Sequence, residues 1–367
     1  MDIILLVIAL ALILLGAELF TNGIEWFGHR LNLAEGAVGS VLAGIATALP
    51  ETLIPVIAIL GPVLSGHSAP ESEEIGVGAI LGAPFMLATL AMFVTGTAIL
   101  VFARGGRRTV EVKANPRVLV RDLAFFAGAY AVVVASAFLP ADLRPLRWLI
   151  AGGLLVTYAA YVRAHFADES APAESSSLNR LHATRLRSWR GAAEIELLPH
   201  AHSADPAATP RLRIIVGQVV VALALIVLGA QVFVGAVEDL ASVVGIDPRI
   251  LALIIAPIAT ELPEQSNSVL WVRAGKDTLA MGNITGAMVF QSCLPTILGL
   301  LFTEWTFGPQ TALGFASAGA AFVSIALIFG MMLRRGRLTA WSMLLGGPIY
   351  VAYVLAALLL PVGAAVH

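Results

Sequence analysis

The chain has 367 residues, of which 58% are hydrophobic and only 13% charged. Apolar runs of that number and length exclude a water-soluble fold and predict an all-α polytopic membrane protein. The net charge of −2 carries little information because the charges sit between the runs, and the single cysteine, Cys293, excludes an internal disulfide.

In chain order, the first apolar run follows Met1-Asp2 and extends to Phe20. It lacks the basic n-region of a signal peptide and reads as an uncleaved transmembrane helix. Ten spans are predicted, near 3–20, 37–62, 76–102, 119–139, 146–163, 212–236, 248–272, 280–303, 311–333 and 338–360. With the N-terminus outside, 19 of the 22 Lys and Arg residues fall in the inner connections. Only Arg144, Arg147 and Arg249 are then outside, so the charge bias places both termini on the outer side. The connection 164–211 is the one long loop and is cytoplasmic on this reading. Its stretch Ser177 to Trp189 reads either as a basic amphipathic helix on anionic lipid or as a partly disordered linker. His200 and His202 read as solvated loop residues, with a metal pair as the sharper alternative. Cys293 lies in an apolar run and reads as a small buried hydrophobe.

Two stretches repeat. Ala46-Thr47-Ala48-Leu49-Pro50-Glu51 returns as Ala259-Thr260-Glu261-Leu262-Pro263-Glu264 at an offset of 213. Leu15-Gly16-Ala17-Glu18 matches Leu228-Gly229-Ala230-Gln231 at the same offset, and Gly78 and Gly82 match Gly282 and Gly286 at an offset of 204. The chain therefore divides into a first five-helix repeat, 1–163, the linker 164–211, and a second repeat, 212–367. Five is odd, so the second repeat inserts upside down, the inverted arrangement of secondary transporters. Both motif glutamates fall near the middle of their spans, and inverted halves bring them face to face.

A carboxylate inside an apolar span costs several kcal/mol unless something uses it. Two facing carboxylates need a positive partner or a shared proton. A hard divalent cation such as Ca²⁺ meets that need, taking carboxylate, hydroxyl and carbonyl oxygens together. Thr47 and Thr260 supply oxygens one turn from the glutamates. Pro50 and Pro263 free backbone carbonyls, and Gly44 and Pro257 mark matching places where the backbone can turn an oxygen inward. Asn283 and Gln291 are polar groups able to reach the site or orient a glutamate. No Cys, His or Met lies in either motif, which argues against a soft metal. The plainer reading of a lone glutamate is an interhelical hydrogen bond; a repeat-related pair, each followed by a Gly-x3-Gly helix, weakens it. Small residues at that spacing predict close helix contact. Glu18 and Gln231, near the ends of their predicted spans, read as interface residues or as gate groups.

At these residues the chain resembles the sodium/calcium exchanger family of the cation/calcium antiporter superfamily. The family motif is a Thr-Ser-Leu-Pro-Glu run followed by Gly-Asn-x-x-Gly-Ser-Asn. Thr47, Leu49, Pro50 and Glu51 match in the first copy; Thr260, Leu262, Pro263, Glu264, Gly282, Asn283 and Gly286 match in the second. The resemblance implies ten spans in two inverted halves, with the glutamates and threonines ligating calcium. The motif serine is Ala48 in one copy and Glu261 in the other, and the first-copy asparagine is Ala79. By the resemblance, several sodium ligands are then missing, while Glu261 adds a third acid that tilts coupling toward protons.

The sequence thus predicts a secondary antiporter exchanging Ca²⁺, or a similar hard divalent, for a monovalent cation. Na⁺ is the expected counter-ion and H⁺ the alternative. An intramembrane enzyme lacks its motifs here, and a channel would usually assemble its pore from identical subunits. No cofactor, nucleic acid or protein partner is implied; the expected partners are cations and the bilayer, in the plasma (inner) membrane.

Overall fold

The structure, a computed structural model, describes residues 2–48, 51–52, 55–56, 58–60, 70–167, 181–183, 210–244, 261–309 and 311–359. Helices dominate it. We label them α1 (Asp2–Arg30), α2 (Ala37–Ala43, π-helical, continuing as Gly44–Thr47), α3 (Pro70–Met86, a π-helical stretch Leu87–Ala91, then Met92–Arg104), α4 (Pro116–Ser136) and α5 (Leu146–Phe166). After the linker come α6 (Leu212–Val244), α7 (Leu262–Arg273), α8 (Asp277–Phe302), α9 (Ala312–Arg335) and α10 (Ala340–Leu359). A two-residue ribbon pairs β1 (Glu111–Val112) antiparallel to β2 (Leu338–Thr339).

Eight of these helices, all but α2 and α7, are long and apolar enough to cross a membrane among the described residues. Their outer faces carry exposed Leu14 on α1, Trp148, Leu149 and Val156 on α5, and Leu355 and Leu359 on α10. A helix apolar on its exposed side is suited to lipid rather than water. α2 and α7 are shorter and adjoin stretches outside the description. Several predicted boundaries need correction. α1 runs on from Phe20 to Arg30, and α6 from residue 236 to Val244. The polar residues after Phe20 do not end α1, because Thr21, Asn22 and Glu25 line an internal cavity instead of an interface.

Local chemistry sets the ends. Asn115 caps α4 by accepting from the Arg117 amide at 3.0 Å, with Pro116 in the first turn. Gly336 closes α9 at φ 66°. Asp277 opens α8, where a negative charge suits the helix dipole, and Arg108 grips it through two bonds of 2.7 and 2.8 Å. That pair ties the α3–α4 connection to the start of α8.

α8 is the axis of the molecule, since every residue from Asp277 to Cys293 is buried. α2 crosses it with almost no side-chain spacer. A methyl on Gly44 would stand 2.7 Å from the Ala287 amide nitrogen, and one on Gly286 would overlap the Ser40 carbonyl oxygen. Gly282 also backs onto Ser40, so the expected Gly-x3-Gly contact is present in the second copy. In the first copy, no described residue stands within 4 Å of a methyl on Gly78.

α1 and α6 pack with reciprocal contacts. A methyl on Gly16 would meet Ile226 Cγ1 at 2.7 Å and the Ala222 carbonyl oxygen at 3.0 Å. One on Gly229 would meet Ile13 Cγ1 at 2.9 Å and the Ala9 carbonyl oxygen at 3.1 Å. Each partner in the second set lies 213 residues from its counterpart in the first. Residues 181–183 of the linker rest on this pair. Leu181 joins Trp26 and Ile215, while the His182 and Ala183 amides donate to Asn22 and Gln218 at 3.0 and 2.7 Å.

Candidate cation site

The helix break expected at the repeated motif falls at matching residues. α2 ends at Thr47, and Ala48 turns at φ −80°, ψ 1°. α7 begins after Glu261, which turns at φ −81°, ψ −5°, and Pro263 occupies its first turn. Ala48 and Glu261 are repeat-related at the offset of 213. Glu51 follows the first turn in helical backbone, and Glu264 sits in the first turn of α7.

All three acids are buried: Glu51, Glu261 and Glu264. Neither oxygen of Glu261 or of Glu264 has a hydrogen bond of ordinary length among the described residues. Thr47 is the polar side chain that approaches the Glu264 carboxylate, and Gln265 the one that approaches Glu261. Buried carboxylates held this loosely are costly unless a cation or proton visits them.

Asn283 joins the elements. Its Oδ1 accepts from Thr47 Oγ1 at 3.2 Å, and its Nδ2 donates to the Glu264 carbonyl at 3.1 Å and to Ser268 Oγ at 3.3 Å. Thr47 Oγ1 also lies 2.9 Å from the Ala43 carbonyl, a second acceptor for its one proton. With its proton spent inward, the hydroxyl keeps lone pairs for a cation. Thr47, Glu264 and Asn283 thus come together from α2, α7 and α8, and Gly44 lies at the same α2–α8 crossing. Gln291 is buried further along α8, and its amide has no partner among the described residues. Thr260, Pro257 and Pro50 lie outside the described residues, as do His200, His202 and all of 177–189 except 181–183. Among the described residues no three His, Cys, Asp or Glu side chains are grouped to hold a metal ion. A site here therefore relies on hydroxyl, amide and carbonyl oxygens beside its carboxylates, the donor set of a hard cation.

A cavity of about 380 Å³ opens beside α7. Glu18, Thr21, Asn22 and Glu25 of α1 line it with Trp271 and His182. Glu18 lines this cavity from well inside α1, not near its end, with its side chain about half exposed. Glu25 is held by Trp271 Nε1 at 2.7 Å and by Lys276. Thr21 Oγ1 donates to Asn267 Oδ1 at 2.7 Å, and Asn267 lies about one turn beyond Glu264 on α7. Polar groups thus run from the cavity toward Glu264.

The sequence reading does not single out Asp122. It is fully buried on α4 and accepts from Ser40, Thr285, Tyr161 and His165. The signal was available: an acid within a predicted span is itself a mark of function.

Long apolar helices, a dense α2–α8 crossing and buried acids at paired helix breaks define a membrane transporter of the cation-exchanger class, not an enzyme. The profile of the sodium/calcium exchanger protein family matches residues 1–166 and 214–359, and the chain belongs to that family. Solved structures of the sodium-calcium exchanger NCX_Mj share the fold. One soaked with Na⁺ and Ca²⁺ aligns over 98% of both chains at a TM-score of 0.65 and 15% identity. Another, soaked with Na⁺ and Sr²⁺, gives 0.65 at 16% identity over the same shares. A protein of Alkalimonas amylolytica that carries the name antiporter CaxA is 30% identical over 119 residues. That match spans 32% of this chain and 36% of the relative, about a third of its length.

Proposed function

We propose that the protein is a secondary antiporter exchanging Ca²⁺, or a similar hard divalent, for Na⁺ across the plasma (inner) membrane. Glu51 and Glu264 bind the ion from opposite halves, and Thr47, Thr260 and freed carbonyls near Gly44 and Pro257 complete the shell. The architecture is ten spans in two inverted five-helix repeats, 1–163 and 212–367, with both termini outside and 164–211 cytoplasmic. α1 and α6 slide against the rest to open the site to each side in turn.

The observation that carries this reading is the Thr47–Asn283–Glu264 junction, which joins the two motif copies at unsatisfied buried acid. The reciprocal α1–α6 contacts support the inverted repeat.

The test is radiolabelled Ca²⁺ uptake into proteoliposomes under an outward Na⁺ gradient. Glu51→Gln and Glu264→Gln should each abolish uptake, because losing one carboxylate leaves the divalent charge under-compensated by several kcal/mol. Uptake at the unaltered rate in either variant sinks the glutamate site. A second reading, coupling to protons, is favoured by buried Glu261 at the family's serine position. Glu261→Ser should then move the driving force from a pH gradient to a Na⁺ gradient. A sodium-driven, pH-indifferent wild type rejects this second reading.

A further inference from the structure

We propose that Asp122 and His165 form a buried proton-binding site, distinct from the glutamates, whose occupancy opposes cation binding. This rests on the exchange reading above and adds a second ionic site to it.

Four groups converge on Asp122 from three other helices. Ser40 Oγ of α2 and Thr285 Oγ1 of α8 donate to Oδ2 at 2.7 and 2.6 Å. Tyr161 OH of α5 donates to Oδ1 at 2.9 Å, and His165 Nε2 stands 2.9 Å from the same oxygen. All of them are buried. With donors on every side, both carboxyl oxygens serve as acceptors, the inventory of a carboxylate. His165 then carries hydrogen on Nε2 in either charge state, and Nδ1 is a lone pair in the neutral ring and an N–H in the protonated one.

That Nδ1 is buried and has no hydrogen-bond partner among the described residues. It faces the entry to α2, where a methyl on Gly36 would stand 3.6 Å away. A proton landing on Nδ1 turns a net charge of −1 at the pair into zero. Little else nearby changes charge. α2 and α8 present hydroxyls, Ser40 and Thr285, and α5 adds Tyr161. The charged side chains nearest are Arg121, next to Asp122 on α4, which donates to the Ala164 carbonyl at 3.3 Å, and Glu35, in helical backbone beside Gly36; both are engaged in further contacts. Asp277, at the far start of α8, is occupied by Arg108.

The pair reaches the cation site through two short paths. Ser40 lies on α2, seven residues before Thr47, and Thr285 lies on α8, two residues after Asn283. Asp122 therefore fixes the two helices whose side chains meet at Glu264. When the pair is negative it favours a cation at the neighbouring crossing; when it holds the extra proton it does not. Linkage is reciprocal, so cation binding expels the proton.

The experiment measures the Ca²⁺ half-saturation of proteoliposome uptake from about pH 8 to about pH 6, with proton release on Ca²⁺ addition in detergent read by an indicator dye. Three proteins are compared: wild type, His165→Gln and Thr157→Ala. Glutamine can donate to Asp122 but has no ring nitrogen to protonate. His165→Asn replaces it should the glutamine variant not assemble. Wild type should show half-saturation rising roughly tenfold toward acid. His165→Gln should lose at least about threefold of that rise and release fewer protons, whereas Thr157→Ala, at an exposed position on the same helix, should keep both responses. An unaltered pH response in His165→Gln overturns the proton site and leaves the exchange reading standing. Absence of Ca²⁺ uptake by wild type at every pH overturns both.

Discussion

At the scale of single residues, Asn283 shows how one side chain orders a site it need not itself ligate. It takes the Thr47 hydroxyl and returns bonds to the Glu264 backbone and to Ser268. Asn283→Ala removes one bond from each; Thr47 and Ser268 keep the Ala43 and Ala280 carbonyls, so the cost is about 1 kcal/mol per lost bond. The expected result is a lower melting temperature and a Ca²⁺ half-saturation raised about 10–100-fold, as for other outer-shell partners. Thermal unfolding and initial uptake rates measure the two effects, and an Asn283→Ala protein with unaltered Ca²⁺ affinity would remove it from the site. Glutamates and prolines in apolar runs were legible in the sequence because each breaks a strong rule there. Asp122 was harder to read, since its partners sit on three other helices and no local pattern announces them. Gln291 was legible as a polar group in an apolar span, and its buried amide has no partner among the described residues.

At the scale of elements, the same pattern of small residues has two fates. Gly78 and Gly286 both belong to a repeated Gly-x3-Gly, yet Gly286 lies on the Ser40 carbonyl while no described residue stands against Gly78. Spacing reveals that a close approach is allowed; which helix arrives is decided by tertiary packing. Gly286→Ala drives a methyl into a backbone that cannot swing aside as a side chain would. It should cost at least the ~1–3 kcal/mol of ordinary overpacking and lower expression of folded protein. Gly78→Ala meets no described residue, and alanine is favoured over glycine in a helix by about 1 kcal/mol, so it should be neutral or stabilising. Melting temperatures of the two purified variants decide the matter; equal losses would mean α2 does not seat on α8 as described. Eight of the spans, those long and apolar enough to cross a membrane among the described residues, were legible from apolar length. The true extents of α1 and α6 were not, because polar residues that line a cavity look in sequence like the end of a helix.

At the scale of the whole molecule, the repeat makes a quantitative demand. Ala9, Ile13 and Gly16 of α1 meet Gly229, Ile226 and Ala222 of α6, and exchanging the halves maps this set onto itself. A self-complementary contact of this kind places equivalent groups in equivalent surroundings. Substitution at either glycine should therefore have the same consequence. Gly16→Val and Gly229→Val each press a branched side chain against the partner's isoleucine and against a carbonyl one turn away. Neither glycine belongs to the acid junction, so the half-saturation for Ca²⁺ should stay within about threefold of wild type. If α1 and α6 move as a pair during exchange, the crowded contact slows that motion, and the maximal rate falls about tenfold or more in both variants alike. The double variant should fall short of the product of the single losses, because the two side chains press on one shared interface. Uptake rates across a range of Ca²⁺ concentrations separate rate from affinity. A large loss at one glycine with none at the other would contradict the pseudo-twofold relation between the halves.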